Sequence, residues 1–168
     1  VCLVFQRKDG SNLVVPAGSV VQVVNTQTGA TASGTTDILD DDTIPQNTEG
    51  DQYMTLAITP TNTNNKLKID VVWCGQISGS NLSGMVALFQ DSTANALAAA
   101  RVQFNDPSDF HGPITFTHYM TEGTTSATTF KVRAGNSGVD TTYFNGTSAG
   151  RKFGGVMASS ITITEIKV

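Results

Sequence analysis

Around the middle of the chain, Leu67, Ile69, Val71 and Trp73 fall on one face of a period-two pattern, and Lys66, Lys68 and Asp70 fall on the other. Such alternation marks an antiparallel strand with one buried and one wet face. The same period recurs in Ile114–Thr121, where Ile114, Phe116, His118 and Met120 oppose Thr115, Thr117 and Tyr119. It returns in Thr128–Ala134, where Phe130, Val132 and Ala134 oppose Lys131 and Arg133. Further strand candidates are Val1–Gln6, Ser19–Asn25, Gln52–Thr59, Met85–Gln90, Ala98–Phe104, Thr141–Asn145 and Ser160–Val168. Turn clusters separate them at Gln27–Gly34, Thr59–Asn65, Ser78–Gly84, Asn105–Pro113, Glu122–Ser126 and Gly135–Gly138. Short strands at this spacing predict an all-β sandwich or barrel. The alanine-rich stretch Thr93–Arg101 is read as strand rather than as one or two helical turns.

Composition agrees. Only 14% of the 168 residues are charged, against roughly 25% in an ordinary domain, and threonine, serine, asparagine and glycine take their place. Threonine is β-branched and suits a pleated surface, while glycine and asparagine suit turns. The length is that of one domain with a core of its own. A net charge of −4 and scattered cations argue against a general nucleic-acid surface. No apolar run reaches the length of a membrane span, and no signal peptide is evident. The first residue is Val1 rather than Met, so a fragment or processed segment of a longer protein is expected. Cys2 and Cys74 lack metal-ligand spacing and are read as buried free thiols, in keeping with synthesis in a reducing cytosol.

Two strands are apolar on both faces, Val20–Val24 and Met85–Phe89. One sandwich core cannot take both faces, so a second surface is expected over each, either another part of the chain or a neighbouring subunit. The interface candidates are therefore Val21, Val23, Val86 and Leu88, with His118 added from the apolar face of its own strand.

No constellation for catalysis stands out. Asp37–Asp42 is rich in carboxylates but lacks the glycine and closing glutamate of an EF-hand, so a solvated loop is expected. Ser108, Asp109 and His111 lie in one turn-rich loop, whereas a triad needs groups converging from separate elements. The three glutamates, Glu49, Glu122 and Glu165, sit near turns or the chain end and give no sign of a glycosidase pair. Gly150–Val156 lacks phosphate-loop spacing and is read as a close backbone approach at a corner or an oligomer contact. Trp73 shares a face with core residues, leaving Tyr53, Tyr119 and Tyr143 as candidates for an exposed stacking surface. Tyr119, Tyr143, Asp109 and His111 are the surface-recognition candidates.

From Pro16 to the end, several segments resemble a C-terminal module of tailed-phage tail fibres and related virion appendages of marine phages. They include Pro16–Val24, Tyr53–Pro60 running on into Asn65–Val72, Val86–Asp91, Phe116–Met120, Thr129–Gly135 and, above all, the ending Phe153–Ile166. The resemblance implies a β-sandwich of jelly-roll type, akin to the fibre-head or TNF-like folds, associated as a homotrimer. It carries no catalytic motif. Residues 1–15 fall outside it, and their Val1–Phe5 run is expected to serve as an arm or a connection to a preceding segment, with the sandwich over 16–168. The expected role is a non-enzymatic virion structural module, assembled in a host cytoplasm. It would trimerise, contact other virion proteins and attach to a host glycan or receptor, with no cofactor, metal, nucleic acid or membrane insertion. Capsid decoration and a lectin-like carbohydrate-binding module are the alternatives, and a depolymerase or other hydrolase is a more distant third.

Overall fold

The computed structural model describes residues 15–79, 83–103, 110–138 and 140–168. The expected arm over residues 1–15 lies outside them except for Val15. Twelve strands follow in order: β1 (Val20–Thr28), β2 (Ala32–Gly34), β3 (Asp51–Ile58), β4 (Lys66–Ile77), β5 (Ser83–Gln90) and β6 (Ala98–Gln103). After them come β7 (Phe110–Thr121), β8 (Thr128–Asn136), β9 (Thr142–Phe144), β10 (Gly146–Thr147), β11 (Gly150–Arg151) and β12 (Ser159–Ile166).

One sheet runs β1–β12–β4–β9–β2, with β7 on the far side of β4, and the other runs β3–β8–β5–β6. All pairings are antiparallel. Strand β12 pairs with Lys66–Val72 of β4, and β9 pairs with Gly75–Ile77 of the same strand. The two therefore form one broken line, and β1 and β2 form another beside it. Counting each broken line once leaves eight strands ordered 1-8-3-6 and 2-7-4-5, which is the jelly roll. The break between β9 and β12 throws residues 145–158 out of the sheet.

The alternation read from the sequence decides what lies between the sheets. Leu67, Ile69, Val71 and Trp73 of β4 are buried against Ile161, Ile163, Val86, Leu88, Phe130 and Val132. Phe144 leans on Trp73 at a ring distance of 6.5 Å, and Tyr53 stacks on it at 5.0 Å. Burial of this order stabilises by roughly 1.5–3 kcal/mol for each large apolar side chain. The alanine-rich stretch ends as strand β6, as expected, although only from Ala98 onward.

Strand β5 corrects one expectation. Val86 and Leu88 are wholly buried in this central core, so they form no interface with another subunit. The other face, Met85, Ala87 and Phe89, is covered by the chain itself, through Ile38 and Ala96. Ile38 is fully buried and donates its amide to Asn136 O at 3.0 Å. A Cβ at Gly135 would stand 2.7 Å from Thr36 O, so glycine is what lets this cover approach. The acidic segment is thus not a merely solvated loop. Asp40 receives a two-pronged bond from Arg101 at 2.7 and 2.8 Å and another from Ser83 Oγ at 2.7 Å, while Asp41 closes its own turn onto Thr43.

One end of the sandwich is closed by Glu165, a fully buried carboxylate. Its Oε1 accepts from Thr61 N at 2.8 Å, Thr61 Oγ1 at 2.7 Å and Asn65 Nδ2 at 2.6 Å, and Oε2 accepts from Gln22 Nε2 at 2.6 Å. Burial alone would raise its pKa, but the donors from Asn65, Thr61 and Gln22 together outweigh it and hold the group below its ordinary 4.5. Among the described residues no cation takes part. Neutral dipoles tie β1, the β3–β4 turn and β12 together.

Candidate functional site

Register places the outward side chains in rows across the first sheet. Val23, Thr164, Lys68 and Tyr119 make one row, and Asn25, Thr162, Asp70 and Thr117 make the next. The second row is tied internally: Thr117 Oγ1 donates to Asp70 Oδ1 at 2.6 Å, and Asn25 Nδ2 donates to Thr162 Oγ1 at 2.8 Å. Lys68 reaches across to Asp70 at 2.8 Å. Threonine at these positions gives a flat hydroxyl-bearing face with short side chains already committed to one another.

At its margin lies β1, which among the described residues is an edge strand paired only with β12. Val20, Val21 and Val23 are exposed at 57%, 38% and 55%. Nothing in Val-Val-Gln-Val-Val-Asn-Thr-Gln-Thr is charged, and no proline interrupts it. His118, the remaining interface candidate, is turned inward opposite Ile69, half-buried, and burial pushes its imidazole below the ordinary 6.5. It serves the chain's own packing, because period two places it on the core side of the outermost strand of this sheet.

The recognition candidates separate. Tyr119 is 56% exposed on the hydroxyl face, about 26 Å along β7 from His111. Tyr143 and His111, by contrast, flank Gln76 in a single row, with about 10 Å between their backbones. Asp109 lies outside the described residues. Tyr53 is no exposed stacking group. It packs on Phe144 and donates its hydroxyl to Thr142 O at 3.2 Å, and burial drives its pKa above the usual range.

Over the His111 end of that row hangs the 145–158 excursion. A shallow cavity of about 340 Å³ is lined there by Gly75, His111, Gly112, Thr147, Lys152, Phe153 and Met157. Gln76 anchors the excursion by accepting from Ser148 N at 2.6 Å. The tip is a tight turn closed by Gly155 N to Lys152 O at 2.9 Å and Val156 N to Phe153 O at 3.2 Å. Phe153 itself sits at φ +48°, followed by Gly154 at +65° and Gly155 at +96°. A bulky residue in the left-handed region is rare and costs of order 1 kcal/mol or more. Yet Phe153 is 78% exposed and Val156 83%. The close backbone approach expected of this segment is present, since a Cβ on Gly29 would lie 2.0 Å from Gly155 O. Lys152 and Phe153 were not among the sequence candidates. Their signal was an aromatic beside two adjacent cations in a chain poor in charge. Among the described residues, no group of three His, Cys, Asp or Glu side chains is placed to hold a metal.

No protein-family model and no curated protein matches this sequence. Similar solved structures include the C-terminal domain of EclA, a sugar-binding protein, at 14% identity over 83% of this chain and 84% of that one, with a TM-score of 0.38. The CBM22-1 xylan-binding domain of Paenibacillus barcinonensis Xyn10C is 11% identical over 92% and 99%, with a TM-score of 0.40. The VP2 subviral particle of infectious bursal disease virus is 12% identical over 99% of this chain but 37% of the VP2 chain, with a TM-score of 0.41. These neighbours are viral-capsid and sugar-binding β domains, at a likeness too low to pass a role to this chain.

Proposed function

We propose that this chain is a self-associating structural module of a virion, the head of a tail fibre or related appendage, which closes as a homotrimer and displays its loops outward for attachment. The observation that carries the reading is β1: a nine-residue edge strand, uncharged, with Val20, Val21 and Val23 exposed. Proteins that remain monomeric blunt such an edge with lysine, proline or a bulge that turns it away. The one register shift in β1 falls between Val20 and Gln22, and the valines remain exposed. The β1 strands of two further copies are the occupants that fit, converging on a threefold axis where each exposed valine face packs against its neighbours. The number three follows from the resemblance to phage appendage heads. The action is shape and burial rather than catalysis, and it needs no cofactor, nucleic acid or membrane.

Light scattering on the purified chain at micromolar concentration tests this. A mass near three times 17.7 kDa is expected, together with conversion to monomer by Val23→Lys. A wild-type monomer, or a trimer indifferent to both Val21→Lys and Val23→Lys, sinks the proposal.

A further inference from the structure

We infer that the cleft beneath Phe153 is a binding site for an acidic saccharide, with the sugar ring on the Phe153 face and its carboxylate at Lys152. The inference builds on the attachment role proposed above and gives it a surface and a ligand class.

Three observations meet at this cleft. The first is the ring. Phe153 is held at φ +48° and, among the described residues, with 78% of its surface in solvent, an arrangement that costs both strain and apolar exposure. Backbone outliers of this kind cluster at ligand clamps. The second is charge. Among the described residues most cations are committed: Lys68 to Asp70, Arg101 to Asp40, Lys131 to Asp91 O, Arg133 to Glu49 O and Gly50 O, and Lys167 to Val15 O. Lys66, Arg151 and Lys152 have no such partner, and two of these three adjoin Phe153. In a chain of net charge −4, that leaves uncommitted positive charge beside the exposed aromatic. The third is shape. The cavity of about 340 Å³ falls within the ordinary range for small ligands and holds one sugar ring with its substituents. Gly75 and Gly112, paired across β4 and β7, line its floor, and Thr147, His111 and Met157 border a lining that is mostly apolar, as the face of a sugar ring requires.

An aromatic face accepts the C–H side of a pyranose, while an ammonium or guanidinium beside it selects carboxylate. A free acidic peptide would use the cations but gain little from a strained, flat ring.

The test is binding of the purified full chain to an array carrying uronate- and sialate-bearing glycans beside their neutral parents, followed by titration with oligogalacturonate. Acidic glycans are expected to bind at least tenfold tighter than neutral ones. Phe153→Ala and Lys152→Gln should each lose at least tenfold, and Tyr119→Ala should stay within twofold. Equal binding of neutral glycans, indifference to both cleft variants, equal binding of polyglutamate, or no binding at all overturns the inference. Scattering on the same samples separates the two proposals. A monomer that still binds through Phe153 fails only the assembly reading, and a trimer that binds nothing fails only this one.

Discussion

Glu165 and Phe153 stand near the two ends of β12, and they solve opposite problems. The carboxylate is a charge in the interior, and every lone pair that matters is met by a neutral donor from another part of the chain. The phenyl ring is apolar surface in water, on a backbone conformation that phenylalanine resists. A buried polar group persists only when satisfied, because an unmet one costs about 1–3 kcal/mol. An exposed strained group has no such internal justification. Where a chain spends stability without recovering it inside the fold, the return lies outside the fold. The difference sets the Glu165 end apart as architecture and leaves the Phe153 end as the place where the proposed recognition is to be tested.

The largest effect should come from the closed end. Glu165→Ala removes the acceptor for Asn65, Thr61 and Gln22 together and is expected to lower unfolding free energy by about 3 kcal/mol in a denaturant titration. The pH dependence has a definite sign. The folded pKa lies below the ordinary 4.5, so the unfolded chain binds more protons in that window. Stability from this group is therefore complete above about 4.5 and is lost as pH falls through the folded value. Glu165→Gln should flatten that acid limb. If the limb is unchanged, the donors do not act on a charged carboxylate and the contrast between the ends loses its first half.

Gly29→Ala attacks the other side. The added Cβ would meet Gly155 O at 2.0 Å, which no bond-angle adjustment absorbs, so the turn must move away. A cost of about 2 kcal/mol is expected by thermal unfolding. Acidic-glycan binding should fall as well, although Gly29 does not line the cleft. Loss of stability with binding intact would show that the turn's placement is immaterial to the site.

What the sequence made legible follows the same division. Period-two alternation placed β4, β7 and β8 and sorted their faces, because a strand's inward residues answer to one local rule. It could not say which segment covers the second face of β5, since Ile38 lies within an acidic run and is brought there by long-range packing. Glu165 looked like a polar residue near the chain end, because its partners Gln22, Thr61 and Asn65 are remote in sequence. Thr141–Asn145 and Ser160–Val168 read as separate strands, and nothing local revealed that they form one interrupted line. That interruption is what lifts Phe153 out of the sheet. Glycines flanking an aromatic mark a turn, but φ +48° at the phenylalanine itself is a property of the folded loop.

The smallest expected effect is the most discriminating. Phe153→Gly removes a left-handed penalty, while the more flexible unfolded chain takes back part of the gain. The net expectation is a rise of about 0.5 kcal/mol in unfolding free energy, read as a small upward shift in melting temperature. The same variant should abolish binding that depends on the ring. Phe153→Ala separates the causes, since alanine keeps the left-handed strain and removes only the aromatic surface. Its stability should stay within about 0.5 kcal/mol of wild type while its binding is lost equally. If both variants instead destabilise the chain by more than about 1 kcal/mol, the ring packs within the fold and its exposure is no sign of recognition. Stability gained and binding lost in one substitution would place Phe153 where local consistency yields to function.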